Sequence, residues 1–163
     1  KVSALHGEWY TASLDGILQS TPFYDFFLRH SEGQARVTIA PKPSLGGVSV
    51  EFNIPGAFVG RRFLMQVGDE PGKFGVSPLP GTLTTFPRRF LESDSFRLDR
   101  NRLWIIDGRL SEGPGDQSDD YIVIADGDTR TRLEILSRSP TFKLGQKEKR
   151  ELVLRLRSKG FDL

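Results

Sequence analysis

The sequence predicts an all-β chain: an eight-stranded antiparallel up-and-down β-barrel with a C-terminal α-helix packed on its outside. Three observations predict it. Seventeen glycines and ten prolines divide 163 residues into short apolar runs separated by turn chemistry. Several of those runs alternate apolar with polar residues at the two-residue period of a half-buried strand. Three short strings, Gly7-Glu8-Trp9-Tyr10, Asp119-Asp120-Tyr121 and Ser137-Arg138-Ser139-Pro140, punctuate the chain near its start, at about three quarters and before the last helical segment. Length fits a single domain over 1–163, with the barrel at about 7–138 and the helix at about 143–159.

The elements follow in order. Trp9 to Ala12 opens the series, and Ala35 to Ala40 carries Val37 and Ile39 on one face. Val48 to Ile54 is the clearest strand: Val48, Val50, Phe52 and Ile54 point one way, Ser49, Glu51 and Asn53 the other. Arg61 to Val67 repeats the pattern with Phe63, Met65 and Val67 opposite Arg62 and Gln66, although Leu64 interrupts it. Gly72 to Ser77, with Phe74 and Val76 in phase, is shorter. Leu103 to Ile106, Tyr121 to Ala125 and Leu133 to Leu136 complete eight strands. Asp126-Gly127-Asp128 supplies a tight turn, so the last two strands pair as an antiparallel hairpin. Arg109 to Asp119, with Gly113-Pro114-Gly115, reads as a longer mobile loop. The connections 14–29 and 77–100 are long and aromatic, which predicts that they fold over something apolar. Lys143 to Lys159 forms a helix with Leu152, Val153 and Leu156 on one side, stopped by Gly160.

Composition removes several function classes. Without cysteine there is no disulfide, thiolate metal site or cysteine nucleophile. His6 and His30 lack metal-ligand spacing. No Walker loop, G-x-S-x-G elbow or H-E-x-x-H string is present, so nucleotide, hydrolase and zinc chemistry have no basis. A net charge of +2 is too small to argue for nucleic acid as a partner. The charge is uneven, however: Lys143, Lys147, Lys149, Arg150, Arg155, Arg157 and Lys159 stand against Glu148 and Glu151. Two readings are open, a solvated helix face or peripheral contact with an anionic membrane or an acidic protein partner. No stretch approaches the roughly 20 apolar residues of a membrane span, which predicts a soluble or peripheral chain.

The chain resembles a lipocalin. Gly7-Glu8-Trp9 matches the family's G-x-W on the first strand, Asp120-Tyr121 its T-D-Y-type motif entering the seventh, and Arg138 the arginine after the eighth. The second motif departs from the pattern in having Asp119 where the family has threonine. Ser137-Arg138-Ser139-Pro140-Thr141 also resembles the S-R-x-P-T string of the bacterial, plant and apolipoprotein D-like branch. The resemblance implies that Trp9 and Arg138 stack at the closed end of the barrel, with the guanidinium over the indole and capping nearby carbonyls. It implies that Gly7 lets backbone approach backbone there, and that Gly7, Trp9, Asp120, Tyr121 and Arg138 are structural. The implied function is holding or transporting a small hydrophobic ligand, with no cofactor required.

A narrower resemblance points at chemistry. Gly7-Glu8-Trp9-Tyr10, Thr21-Pro22-Phe23-Tyr24-Asp25, Leu103-Trp104-Ile105-Ile106 and Asp120-Tyr121-Ile122-Val123 are similar to the lipocalin domain of plant violaxanthin de-epoxidase. That resemblance implies a carotenoid ligand, a plastid location in stroma or thylakoid lumen, and, for an enzyme, ascorbate as reductant. The family's separate cysteine-rich domain has no counterpart here. Under the enzyme reading Asp25, among Phe23, Tyr24, Phe26 and Phe27, is the proton donor for epoxide opening, because apolar surroundings raise a carboxyl pKa. The plain alternative is a surface-loop aspartate.

Strand phase selects Val50, Phe52, Phe63, Met65, Phe74, Trp104, Ile106, Val123 and Ile135 as inward residues for ligand contact. Either they line a cavity, or they fill the interior as side chains do in many small barrels. An aromatic, elongated cavity suits a polyene such as a carotenoid, another isoprenoid lipid, a fatty acid or a tetrapyrrole. Three functions therefore stand: a binding protein, a de-epoxidase-like enzyme, and a structural subunit that docks its filled barrel on a larger membrane assembly.

Overall fold

Each strand pairs with its neighbours in sequence, and the first closes on the last. The computed structural model describes residues 2–12, 36–54, 58–78, 102–113, 115–126 and 133–163. Its strands are β1 (Gly7–Ala12), β2 (Arg36–Lys42), β3 (Gly47–Ile54), β4 (Phe58–Val67), β5 (Lys73–Pro78), β6 (Arg102–Arg109), β7 (Tyr121–Asp126) and β8 (Leu133–Ser137). They form a closed barrel in that order, every ladder antiparallel. Closure comes from β1 against β8, where Tyr10 faces Ser137 and Ala12 faces Ile135. A closed ring leaves no unpaired strand edge. Pro41 continues β2 past the expected end at Ala40, and it lies beyond the last β1 pair, Gly7 with Ile39, where no ladder on that side needs its missing N–H.

Where alternation in the sequence is strict, the wall has one dry face. Val37, Ile39, Val48 and Val50 are buried, while Thr38, Ser49 and Glu51 are turned outward. The outer face there carries ion pairs, Arg36 to Glu8 at 3.6 Å and Arg62 to Glu51 at 2.7 Å. Such exposed pairs contribute little, on the order of 0–1 kcal/mol each, so the inner face stabilises this side.

β6 to β8 are different because both faces are apolar. Ile122 and Leu136 join the inner cluster around Trp9, with Ile105 and Ile124 packed against it. Val123, Ala125 and Ile135 point outward and pack with Leu144, Leu152, Leu156 and Phe161 of the C-terminal segment. This corrects the strand phase inferred for four candidate residues: Val123, Ile135, Trp104 and Ile106 lie on the outer wall beneath the helix, not inside. Two causes account for it. A wall covered on both sides has no polar phase to read. In β6 there is also a bulge: Ile105 faces Ile124 while Asp107 faces Val123, so Ile106 is an extra residue and the phase changes there.

The helix α1 spans Gln146–Ser158 and buries Leu152 and Leu156 completely. It starts three residues later than the expected Lys143, because Gly145 is the N-cap; the Glu148 carboxylate accepts the Gly145 N–H at 3.0 Å and Arg109 Nη1 at 3.1 Å. Both bonds, the backbone one first, hold the Glu148 carboxyl below its ordinary pKa. At the other end Gly160 takes φ +88°, and the N–H groups of Gly160 and Phe161 return to the carbonyls of Arg157 and Leu156. That left-handed cap turns Phe161 back onto the same apolar cluster as Leu156.

A charged clamp fixes the helix on β6. The bulge turns Asp107 outward, where Arg155 donates two hydrogen bonds to its carboxylate, each 3.0 Å, and Lys159 sits at 3.2 Å. Lys159 Nζ also donates to the Ile106 carbonyl. Burial alone would raise the Asp107 pKa, but the bonds and charges of Arg155 and Lys159 outweigh it and lower the value below 3.8. Tyr121, whose hydroxyl accepts from Arg155, has its pKa raised by burial and by the Asp107 charge. Much of the basic patch is therefore occupied within the chain: Arg155 and Lys159 by Asp107, Lys147 by Glu151 at 3.9 Å, and Arg157 by the main-chain oxygen of Leu163.

Leu156→Ala should lower unfolding free energy by about 2–5 kcal/mol, while Leu154→Ala at an exposed position should stay within about 0.5 kcal/mol, both read by urea denaturation. A depressed carboxylate pKa contributes stability that is present above the unfolded value of 3.8 and lost as pH falls through the folded value. Asp107→Asn should therefore cost about 1.5–3 kcal/mol at neutral pH, and the gap from wild type should narrow only below pH 3.8. A gap that already narrows between about pH 7 and 5 would contradict that assignment.

Candidate functional site

One end of the barrel is sealed by residues from the start of the described chain and from just past β8. The 3₁₀ turn Val2–Leu5 leads into β1, and the Trp9 indole Nε1–H donates to the Leu5 carbonyl at 2.8 Å. Trp9 is fully buried, and this bond satisfies its one polar atom. Arg138, just past β8, lies over the indole with its Cζ 3.9 Å from the ring centroid. Its Nη1 donates to the Glu8 carbonyl at 3.1 Å and its Nη2 to the Ala4 carbonyl at 2.9 Å. Burial lowers the guanidinium pKa and the nearby Asp120 charge opposes that. The group remains a cation, since an arginine guanidinium is not deprotonated in proteins.

Gly7 belongs to this arrangement for a reason different from the expected one. Its φ is +111°, and a Cβ there would stand 2.8 Å from Arg138 Nη1. The space is taken by the guanidinium rather than by another backbone. Asp120, only 2% exposed, accepts the Ser111 N–H at 2.8 Å and the Ser111 hydroxyl at 2.6 Å, while its carbonyl accepts the Arg138 N–H at 2.9 Å. Together with Arg109, which donates to the Asp119 carbonyl, these bonds tie both ends of the β6–β7 loop. Tyr121 faces outward, its ring 5.4 Å from that of Phe142.

Above Trp9 the inner face is apolar. Val50, Met65 and Phe74 are buried in one cluster with Trp9. The register places Phe52 opposite Val37 and Phe63 opposite Val50; the side chains of these two phenylalanines lie outside the described set. Inner residues that strand phase did not select are Ile105, Ile122, Ile124 and Leu136, the other phase of the doubly apolar wall, and Leu5, which plugs the base from outside any strand. The lower ring, Trp9, Val37, Ile122 and Leu136, is closed to solvent, at most 1% exposed. Packed against the same inner cluster, Leu103, Ile105 and Ile124 are only half-buried.

Glu134 stands in this accessible region. It faces Ile124 across β7–β8 and alternates with the outward Leu133 and Ile135, so it shares the inner face with Leu136. Trp104 is on the outer wall with Lys73 Nζ 4.3 Å from its ring centroid, and its Nε1 is buried with no partner among the described residues. Asp25 lies outside the described residues, as do residues 127–132 of the expected tight turn. The strand ends Ala12, Arg36, Pro78 and Arg102, which the connections 13–35 and 79–101 join, are all at the end away from Trp9. Among the described residues no group of three or more His, Asp or Glu side chains is placed to hold a metal ion.

No family model matches the chain, and no curated protein matches it. The eight-stranded barrel is compatible with ligand binding: eight strands enclose an interior that side chains can fill or that can hold one small molecule.

Arg138→Lys keeps the charge but not the fork that reaches two carbonyls and covers the indole, so it should cost about 2 kcal/mol or more. Gly7→Ala should cost about 1–3 kcal/mol through the unfavourable φ and the lost guanidinium seat. Denaturation followed by tryptophan fluorescence checks both, and two neutral substitutions would remove the proposed importance of this contact.

Proposed function

We propose that the protein is a lipocalin-type binding protein that holds or transports one small hydrophobic molecule in its barrel. The observation that carries this reading is the uneven exposure of the inner wall. The ring around Trp9 is sealed, while the apolar residues Leu103, Ile105 and Ile124, packed against the same cluster, keep accessible surface. Apolar surface held open to solvent inside a closed wall gains free energy when an apolar molecule covers it, about 25 cal/mol per Å² removed from water. The floor supports the same reading, because a base held by Arg138 through two carbonyls stops a ligand from passing through. Elongated isoprenoid molecules, carotenoids among them, suit the apolar interior of an eight-stranded barrel.

The two tryptophans give a direct test. Trp9 is in the inner cluster and Trp104 in the outer one. Adding a polyene such as retinol or β-carotene to the Trp104→Phe variant should quench the remaining Trp9 emission in a saturable way. Native mass spectrometry should show one bound molecule per chain. Absence of both uptake and quenching, for polyenes and for saturated lipids alike, would reject the binding function.

A further inference from the structure

The outer side of α1 carries more positive charge than its contacts within the protein use. Between Lys143 and Lys159 seven basic residues stand against two acids, a surplus of five, whereas the whole chain has a net charge of +2. The remainder is therefore net negative, and the positive field belongs to this one segment. Internal contacts do not cancel it. Arg155 and Lys159 share the single charge of Asp107, and Glu148 faces Arg109, a basic residue from outside the helix. Lys147 meets Glu151 only at 3.9 Å with its own side chain 90% exposed, the kind of pair that adds little. Lys143 and Arg150 are exposed and have no ion pair among the described residues.

Helical spacing gathers these charges. Positions three and four apart share one side, so Lys147, Arg150, Leu154 and Arg157 form a stripe, turned away from the buried Leu152 and Leu156. At 1.5 Å per residue the stripe is about 15 Å long. Lys143 stands just before it, and Arg157 turns part of its guanidinium to the main-chain oxygen of Leu163. Between the cations sits Leu154, 64% exposed and the only strongly exposed apolar side chain of the helix.

We infer that this stripe is a docking surface for an anionic lipid bilayer, lying along the headgroups with Leu154 entering the acyl boundary. The inference does not depend on which molecule the barrel holds. Its cations call for a negatively charged partner, and its shape favours lipid over an acidic protein. A helix packed on the outside of a barrel is a ridge, which meets a flat surface along its length. The aromatic anchors that dominate protein interfaces are absent from the stripe. In a protein partner Leu154 would need a shaped socket, whereas the headgroup and acyl boundary accepts an apolar side chain without one. Lysine and arginine stems are long enough to keep their charges at the headgroups while the leucine goes deeper. Each basic residue near such a surface strengthens binding about fivefold, so a few cations and one leucine make a reversible contact.

Co-sedimentation with vesicles tests this. The protein should bind phosphatidylcholine vesicles containing about one third phosphatidylserine and not vesicles of phosphatidylcholine alone. Raising salt from about 0.1 M to about 1 M, which shortens the screening length from about 10 Å to about 3 Å, should release it. Lys147→Gln with Arg150→Gln should weaken binding about thirtyfold, equivalent to about 2 kcal/mol. Leu154→Ala should weaken it about threefold or more, as apolar carbons leave the acyl boundary. Circular dichroism verifies that both variants fold, and polyene quenching of Trp9 should be the same in both as in the unsubstituted protein. Equal binding to both kinds of vesicle, binding to neither, or an affinity that either variant leaves unchanged would overturn the inference. So would binding to polyglutamate without binding to the anionic vesicles, which would assign the stripe to an acidic protein. None of these outcomes bears on uptake of a ligand by the barrel.

Discussion

The contact on which the rest depends is Arg138 over Trp9. A buried indole and a guanidinium attract each other through the ring quadrupole, by about 0.5–2 kcal/mol according to how well water is excluded. The larger consequence is topological. One side chain after β8 bonds to the carbonyls of Ala4 and Glu8, and so holds the 3₁₀ turn, β1 and β8 in a single joint. Loss of that joint would release Leu5 from the base and expose the indole below the inner cluster. It is a fastening and a stopper at once, made from one residue of each sign of preference: one apolar ring, one cation.

A second organising fact is that the wall has two characters. From β2 to β4 it is apolar inside and mainly polar or charged outside, with Leu64 the one buried apolar residue on the outer phase among the described side chains. From β6 to β8 it is largely apolar on both faces, with Glu134 the inner exception and Asp107 the outer one, and α1 is its outer neighbour. The helix is held there by Leu152 and Leu156, and its placement along β6 is fixed by Asp107 between Arg155 and Lys159. A single bulge at Ile106 serves both compartments, since it turns Asp107 toward the helix and leaves Ile105 on the inner face.

The sequence made the fold class, all eight strands and the helix legible, because each rests on local patterning: turn residues between short runs, a two-residue period, and an amphipathic segment closed by glycine. It made Trp9, Gly7 and Arg138 legible as one structural group only through motif resemblance. Inner and outer faces were legible where one face is polar, as for Val50 and Met65. They were illegible in Ile122-Val123-Ile124-Ala125, where periodicity has nothing to contrast, and in Leu103 to Asp107, where a bulge shifts the phase. Glu134 was readable in principle as the lone charge in Leu133-Glu134-Ile135-Leu136. Its location inside rather than outside follows only once the helix is known to cover Ile135.

The seam between β1 and β8 has a kinetic side. Ser137 bonds back to Tyr10 and Arg138 to Ala4, contacts separated by 127 and 134 positions along the chain. The entropy of joining two points grows with the length of chain between them, and proteins rich in such distant contacts fold slowly. Hairpins such as β3–β4 and β7–β8 can form within their own neighbourhoods, but the ring is complete only when its two remote margins meet. A protein built this way acquires its inside late: until the seam shuts there is a curved sheet with an apolar face, and the distinction between lining and surface does not yet exist.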